Sequence, residues 1–313
     1  MSASEERPAG PDAGGQPAGA TVLVTGGSGF LGSSLCRRLA HDGADVHATS
    51  RSARTGPPTW WQPDLEDIEG VRALFSSIRP EVVYHFAGHV TAAPDRDLVL
   101  PLYHSLLTST VNVMLAACEI GCRRVVLAGS LTEPANPGDV PASPYAAAKF
   151  ACNGYAKMFH AIYDLSVVIT RPFMAYGPGQ NPGKVVPYVA AALLRGETPT
   201  LSSGRLESDW IYIDDVTDGL VRAGFVGGVG GLEIDLGTGT LVSLRTVIEK
   251  LAAQIGGPAS PEFGSRTERP LERSRVARLD EATRLLGGWR PRVDLDEGLR
   301  RTIEALREQG AGR

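Results

Sequence analysis

The chain has 313 residues, 42% of them hydrophobic and 21% charged, which is enough for one large domain or two smaller lobes and excludes a disordered or fibrous protein. Its 31 basic and 35 acidic residues leave a formal charge of −4, a weak field that disfavours nucleic acid as a partner. Strongly apolar stretches such as Val82–Ala87 and Val125–Ala128 are strand-sized and far short of the roughly 20 residues a membrane helix needs, so no membrane association is expected.

Residues 1–20 are rich in Ala, Gly and Pro, carry no apolar core of the kind a secretory signal has, and read as a disordered tail. From Thr21 on, short β-branched runs alternate with helix-period segments. Strands are predicted at Thr21–Thr25, Asp45–Thr49, Val82–Phe86, Val125–Ala128 and Val167–Thr170, with Thr59–Gln62 a weaker third strand lying between the second and fourth. Helices are predicted over Leu31–His41, Val71–Ile78, Leu106–Ile120, Pro144–Ile162, Val185–Leu194, Asp215–Val226, Leu244–Ile255, Asp280–Leu286 and Leu295–Arg307. This rhythm predicts an α/β fold: a Rossmann-type doubly wound parallel sheet over residues 21–172, covered by helices on both faces. Beyond residue 172, Gly- and Pro-rich turns at Gly177–Gly183, Gly227–Gly231 and Gly256–Pro261 predict a smaller, loop-rich substrate lobe over residues 173–313, with some segments returning to the sheet. Cys36, Cys118, Cys122 and Cys152 form no CxxC pair, so neither a disulfide framework nor a metal site is indicated and a reducing cytoplasm is expected.

Directly behind the first strand stands Thr25-Gly26-Gly27-Ser28-Gly29-Phe30-Leu31-Gly32. Glycines at 26, 29 and 32 let the backbone approach a pyrophosphate, whose charge a helix N-terminus then meets. Gly26, Ser28, Gly29, Phe30, Leu31 and Gly32 are therefore candidate dinucleotide contacts. A ligand-free glycine turn is the plain alternative, and the position behind the first strand of an α/β pattern favours the dinucleotide. The second strand ends in Thr49-Ser50-Arg51-Ser52-Ala53-Arg54 instead of the carboxylate that holds the ribose hydroxyls of NAD. Arg51 and Arg54 can fork a 2′-phosphate, with Ser50 or Ser52 adding a hydroxyl, which favours NADPH/NADP+ over NAD+. Ordinary surface charges would look the same. Asp64 and Leu65 are placed at the adenine edge, where an exposed loop aspartate is the alternative.

Tyr145-Ala-Ala-Ala-Lys149 opens a helix just after Pro144, and residues four apart share one helical face. A free phenol titrates near pH 10 and is a poor acid–base group at neutrality, whereas an ammonium one turn away stabilises the phenolate. Tyr145 is thus the candidate proton donor, and Lys149 tunes it and reaches the nicotinamide ribose. Ser130 leaves the predicted strand Val125–Ala128 at its carboxyl edge, where open α/β sheets bind ligands, and is the candidate partner of the substrate oxygen. A turn hydroxyl is its plain alternative.

Together these residues resemble the extended short-chain dehydrogenase/reductase family of nucleotide-sugar epimerases, dehydratases and ketoreductases, from about residue 21 to residue 307. Further landmarks are His85-Phe86-Ala87-Gly88, Arg171-Pro172-Phe173-Met174-Ala175-Tyr176-Gly177, Asp209-Trp210-Ile211-Tyr212-Ile213-Asp214-Asp215 and Leu285-Leu286-Gly287-Gly288-Trp289. The resemblance implies a nicotinamide near Phe86, Ala87 and Pro172. It implies a nucleoside diphosphate-sugar held by the second lobe near Met174, Val185 and Leu201, with Thr132 of the first lobe also a substrate contact and Lys184, Arg205 and Arg269 as the available cations. It also implies a homodimer joined by the helices around Leu106–Ile120 and Pro144–Ile162.

Departures from the family pattern narrow the chemistry. Leu131-Thr132 stands where family dehydratases carry Asp-Glu, and Thr132 stands where decarboxylases carry Glu, with Glu133 one step further on. Met174 replaces the usual Asn and Ser208 the usual Arg. Leu106 aligns with a family Asn, so Asn112 is given a structural job, and His85, His89 and His104 are left outside the site. With Arg51 and Arg54 pointing to NADPH, the expected activity is reduction of the C4 carbonyl of a nucleoside diphosphate-4-keto-6-deoxyhexose, as in deoxysugar biosynthesis. The alternatives are a 4-epimerase on retained NAD, a nucleotide-sugar decarboxylase and a non-catalytic nucleotide sensor.

Overall fold

A computed structural model describes residues 15–91, 93–134, 136, 138–267 and 273–311. Along the chain, β1 (Thr21–Thr25) leads through α1 (Phe30–His41) to β2 (Asp45–Thr49), β3 (Thr59–Trp61), α2 (Ile68–Ile78) and β4 (Val82–His85). A helical run, Arg96–Glu119, follows. It contains a 3-10 turn, the short α3 (Val99–Leu102), a π-helical turn at Tyr103–Thr108 and α4 (Ser109–Glu119). Next come β5 (Arg124–Ala128), α5 (Pro144–Tyr163), β6 (Val167–Pro172) and β7 (Met174–Tyr176). The remainder is α6 (Val185–Leu194), β8 (Thr200–Leu201), β9 (Glu207–Tyr212), α7 (Ile213–Phe225), β10 (Glu233–Leu236), β11 (Leu241–Ser243), α8 (Leu244–Ile255), β12 (Glu262–Phe263), α9 (Leu279–Leu285) and α10 (Leu295–Ala311).

Seven strands form one parallel, Rossmann-like sheet in the order β10-β6-β5-β4-β1-β2-β3. Alternation along each strand sends Val22, Val24, Val82, Tyr84 and Val126 to one face, where α1 and α7 cover them. Leu23, Val83, Val125 and Leu127 go to the other, under α2, α4 and α5. A third core, built from α6, α8, α10 and β9, fills the second lobe, and Phe30, Leu31 and Met174 pack against it. The glycine loop therefore sits where the two lobes meet.

Helix starts follow their caps. Ser143 accepts from Ala146 N with Pro144 behind it at the head of α5, Asp67 accepts from Glu69 N and Gly70 N at α2, and Ser243 accepts from Thr246 N at α8.

Four sequence expectations change. The tail does not run to residue 20, because Gly15 N donates to Phe225 O, Gly19 N to Gly43 O and Ala20 N to Pro17 O, tying 15–20 to the body. The helix expected from Leu106 begins ten residues earlier. The π turn breaks the 3.6-residue period there, so the apolar residues before it fall out of register with those after it. By length and composition alone this 24-residue run matches a membrane span, yet Val113, Met114, Ala116 and Ala117 are fully buried against the sheet. The third strand lies in space at the sheet edge, outside β2. The second lobe is less loop-rich than expected, holding a three-stranded sheet β11-β9-β7 and a pair β12-β8. These strands have two to six residues, too few for a periodicity to show.

Candidate active site

The glycine loop turns at the carboxyl end of β1. Gly26 has φ +69, and a side-chain carbon there would lie 2.8 Å from Ala87 N, so both conformation and space demand glycine. Gly32 is held free of a side chain by the carbonyl of Gly26. Gly29 differs, since its nearest neighbour would be Gly26 O at 3.2 Å. A side chain there would press on that carbonyl less severely than at Gly26 or Gly32. Helix α1 has no capping side chain and no acid in its first turn, so its orphan N–H groups are left for an anion. These features fit the pyrophosphate of a dinucleotide at Gly26–Gly32, with exposed Ser28 and half-buried Phe30 and Leu31 around it.

Beyond β1, the loop after β4 is fixed by a buried chain of hydrogen bonds. Thr25 Oγ1 accepts from Phe86 N (3.2 Å) and Ala87 N (3.3 Å). Its own proton then goes to His85 Nδ1 (2.7 Å), and the ring proton sits on Nε2, facing Thr110 Oγ1 at 3.1 Å. Burial, with a smaller contribution from the Lys149 charge, pushes His85 down to about 3. Left outside the site on sequence, His85 is the strut that positions Phe86 and Ala87. The unfolded ring titrates near 6.5 and so takes up its proton first as the pH falls. The neutral ring's contribution is therefore complete above pH 6.5 and is lost at about 1.4 kcal/mol per pH unit toward pH 3. Urea unfolding at pH 7 and pH 5 is expected to show wild type losing about 2 kcal/mol more than His85→Gln over that interval; parallel losses would refute a buried neutral histidine.

At the carboxyl end of β2, Ser50 is buried and its Oγ accepts from Ser52 N (3.3 Å), while Arg51 is exposed. Arg54 does not join Arg51. Its guanidinium lies 5.9 Å from the Trp60 ring centroid, and it lines a groove with Ala40, Ala44, Asp45 and Val46 at the amino end of β2. The loop to β3 runs back along the strand and carries Arg54 away from the coenzyme edge, so the expected two-arginine clamp is reduced to one arm. Asp64 is exposed and accepts from Glu66 N (2.9 Å), shaping its own turn. The loop at half-buried Leu65 is held by Asn112, whose Nδ2 donates to Leu65 O and Glu66 O, each at 3.0 Å, in keeping with the structural job expected of it.

Tyr145 and Lys149 lie in the first turns of α5, and both are buried. The Tyr145 ring packs with Leu102, Leu106 and Ala148. Lys149 Nζ donates to Ala128 O at 2.8 Å, two residues before Ser130. Ser130 Oγ accepts from Thr132 N (3.2 Å) and pairs with Thr132 Oγ1 (2.8 Å). The pair and the serine loop are thus joined at the carboxyl edge of the sheet, along with Pro172 at the end of β6. Glu133 is not free for chemistry. It is 3% exposed, with Oε1 on Ser130 N (2.5 Å) and Oε2 on Asn153 Nδ2 (2.6 Å) and Arg171 Nη2 (3.3 Å).

On the substrate side the expected residues divide. Met174 and Val185 are half-buried against the second core, and Lys184 and Arg205 are exposed. Leu201 is instead a core residue, 5% exposed, and its carbonyl accepts from Gly264 N and Arg266 N. Arg269 lies outside the described residues. Arg266, which the sequence did not single out, lies 5.1 Å from the Tyr188 ring centroid and donates to Thr200 Oγ1 and Tyr188 Oη, both at 3.1 Å. A single arginine in a loop carries no pattern by which to find it.

Comparison with known proteins gives a consistent setting. Residues 22–224 match the NAD dependent epimerase/dehydratase family. A UDP-glucose 4-epimerase of Mycolicibacterium smegmatis is 33% identical over 318 residues, spanning 92% of this chain and 99% of the relative. The UDP-glucose 4-epimerase of Thermus thermophilus, solved in complex with NAD, superposes with a TM-score of 0.81 at 28% identity, covering 91% of this chain and 98% of that one. MoeE5, solved with UDP-glucuronic acid and NAD, gives 0.82 at 31% identity over 92% and 99% of the two chains.

Proposed function

This chain belongs to the NAD-dependent epimerase/dehydratase family, and we propose that it epimerises a uridine diphosphate-hexose at C4 on a retained NAD+. The observation that carries the reading is the Lys149 Nζ to Ala128 O bond, which ties the helix bearing Tyr145 and Lys149 to the end of β5, where the Ser130 loop begins. The reductase expected first on sequence yields to its epimerase alternative on two grounds. Relatives of this chain include 4-epimerases, and Arg54 lies off the edge where a 2′-phosphate would sit. Decarboxylation and dehydration lose support for a separate reason. The loop reads Leu131-Thr132, and the carboxylate that follows them, on Glu133, is engaged in a buried network.

A nicotinamide bound at this edge would supply reversible hydride acceptance at the sugar C4. Tyr145 takes the proton of the C4 hydroxyl and gives it back, and the Ser130 hydroxyl donates to the same oxygen. Lys149, anchored on Ala128 O, sets its positive charge on the Tyr145 face of the helix and holds the ribose. Arg266, Lys184 and Arg205 supply cations for the diphosphate. A homodimer is part of the proposal: Val99, Leu100 and Tyr103 on the Arg96–Glu119 run and Phe150, Ile162 and Tyr163 on α5 are exposed apolar residues, available to a second copy.

Purified protein is expected to sediment as a dimer, to release stoichiometric NAD+ on denaturation, and to convert UDP-galactose to UDP-glucose with no coenzyme added. One feature favours the reductase as a second reading, the absence of a carboxylate after β2, where Ser50 and Arg51 stand. Consumption of NADPH with a nucleotide 4-keto-sugar, without coenzyme-free turnover, would establish it and overturn the epimerase.

A further inference from the structure

The geometry points to Glu133 as a positioning residue for the Ser130 hydroxyl: its carboxylate, shared among Ser130 N, Asn153 and Arg171, locks the serine loop to the helix bearing Tyr145 and Lys149 and to strand β6. The inference rests on the reading above, in which Ser130 donates to the sugar oxygen.

A carboxylate at 3% exposure is costly unless its charge and lone pairs are matched. Here both oxygens are used, Oε1 by Ser130 N at 2.5 Å and Oε2 by Asn153 Nδ2 at 2.6 Å and Arg171 Nη2 at 3.3 Å. Asn153 lies one helical turn beyond Lys149 on α5, so the loop and the catalytic face move together. Neutralising Arg171 does not account for Glu133, because Arg171 already bonds Asp235 (2.8 Å) and Glu233 (2.6 Å). What Glu133 adds is the link to the Ser130 amide. From the opposite side, Arg275 Nη1 donates to Leu131 O (2.9 Å) and Glu133 O (2.8 Å). Held at both faces, the loop has one backbone path, and the Ser130 Oγ, already accepting from Thr132 N, has a fixed place from which to donate.

Two substitutions separate positioning from bulk stability. Glu133→Val removes the acceptor of the Ser130 amide and is expected to lower kcat per NAD-loaded site by about 10²-fold, with KM for the nucleotide sugar changed by no more than about threefold. Glu133→Gln keeps an acceptor for Ser130 N; its NH2 takes the place of Oε2 opposite Asn153 Nδ2, so the Asn153 amide must turn over to present Oδ1, a buried oxygen without a hydrogen-bond partner, as the acceptor. It is expected to retain about a third of the wild-type kcat. Unchanged kcat in the valine variant, or kcat falling equally in both variants in step with Tm, overturns the positioning role. A second readout needs no turnover. The Ser130 amide proton in the NMR spectrum should be shifted downfield and slow to exchange in wild type and the glutamine variant, and lose both properties in the valine variant. If it is neither shifted nor protected in wild type, the inference falls. If that signature is present and lost as expected but no nucleotide sugar turns over, the anchoring of Ser130 stands and the epimerase reading falls.

Discussion

Tyr145→Phe is expected to lower kcat on the nucleotide sugar by about 10²–10⁴-fold, the range that one positioned proton-transfer group supplies. The substitution removes one oxygen and leaves the ring in its packing with Leu102, Leu106 and Ala148. NAD content and Tm should therefore hold, and KM should move little, because the lost interaction is made as the proton transfers. Steady-state kinetics beside a thermal melt reads all of these. A phenylalanine variant within about tenfold of wild type would remove Tyr145 from the chemistry and leave the glycine loop as a nucleotide-binding feature only.

The second large effect is on stability. Arg171→Met is expected to destabilise the fold by about 3–5 kcal/mol, the cost of stranding buried charge. Burial works against the Arg171 guanidinium, but Glu133, Glu233 and Asp235 more than offset it, so the charge is held firmly. With methionine there, Glu133 keeps only Ser130 N and Asn153, Asp235 keeps the Arg278 contacts and Glu233 keeps Lys157. Burial pushes the Glu233 carboxyl up, and its bonds to Lys157 and Arg171 bring it below the usual glutamate value. That contribution is present above the unfolded value and lost as the pH falls through the folded one. Losing Arg171 removes part of it, so the deficit of Arg171→Met should narrow as the pH drops from 7 toward 4. Urea midpoints across that range test the sign; a deficit that widens on acidification would show that the three carboxylates are not what Arg171 holds.

What was legible in the sequence was whatever lies close together in the chain. β1 and β2 fall within the predicted limits, α6 and α8 likewise, because two- and 3.6-residue periods survive in a linear string. The glycine spacing at 26, 29 and 32 and the four-residue step from Tyr145 to Lys149 are local geometry of the same kind. Arg54 misled because adjacency to Arg51 implied a shared clamp, and only the path of the loop back along β2 showed otherwise. Leu201 was expected at the substrate, and its side chain is turned to the core, which no local pattern announces.

The sequence by itself determined the parallel sheet, the glycine turn behind β1 and the tyrosine–lysine face, since each is a pattern of neighbours whose backbone geometry follows from steric and hydrogen-bond rules. Only the tertiary structure decided which buried charges meet. Glu133 finds Arg171 across 38 residues, Arg275 reaches Leu131 O across 144, and Asn112 holds Leu65 O across 47. Such pairings depend on strand order and helix packing, which bring distant residues into hydrogen-bonding contact without leaving any periodic mark in the chain.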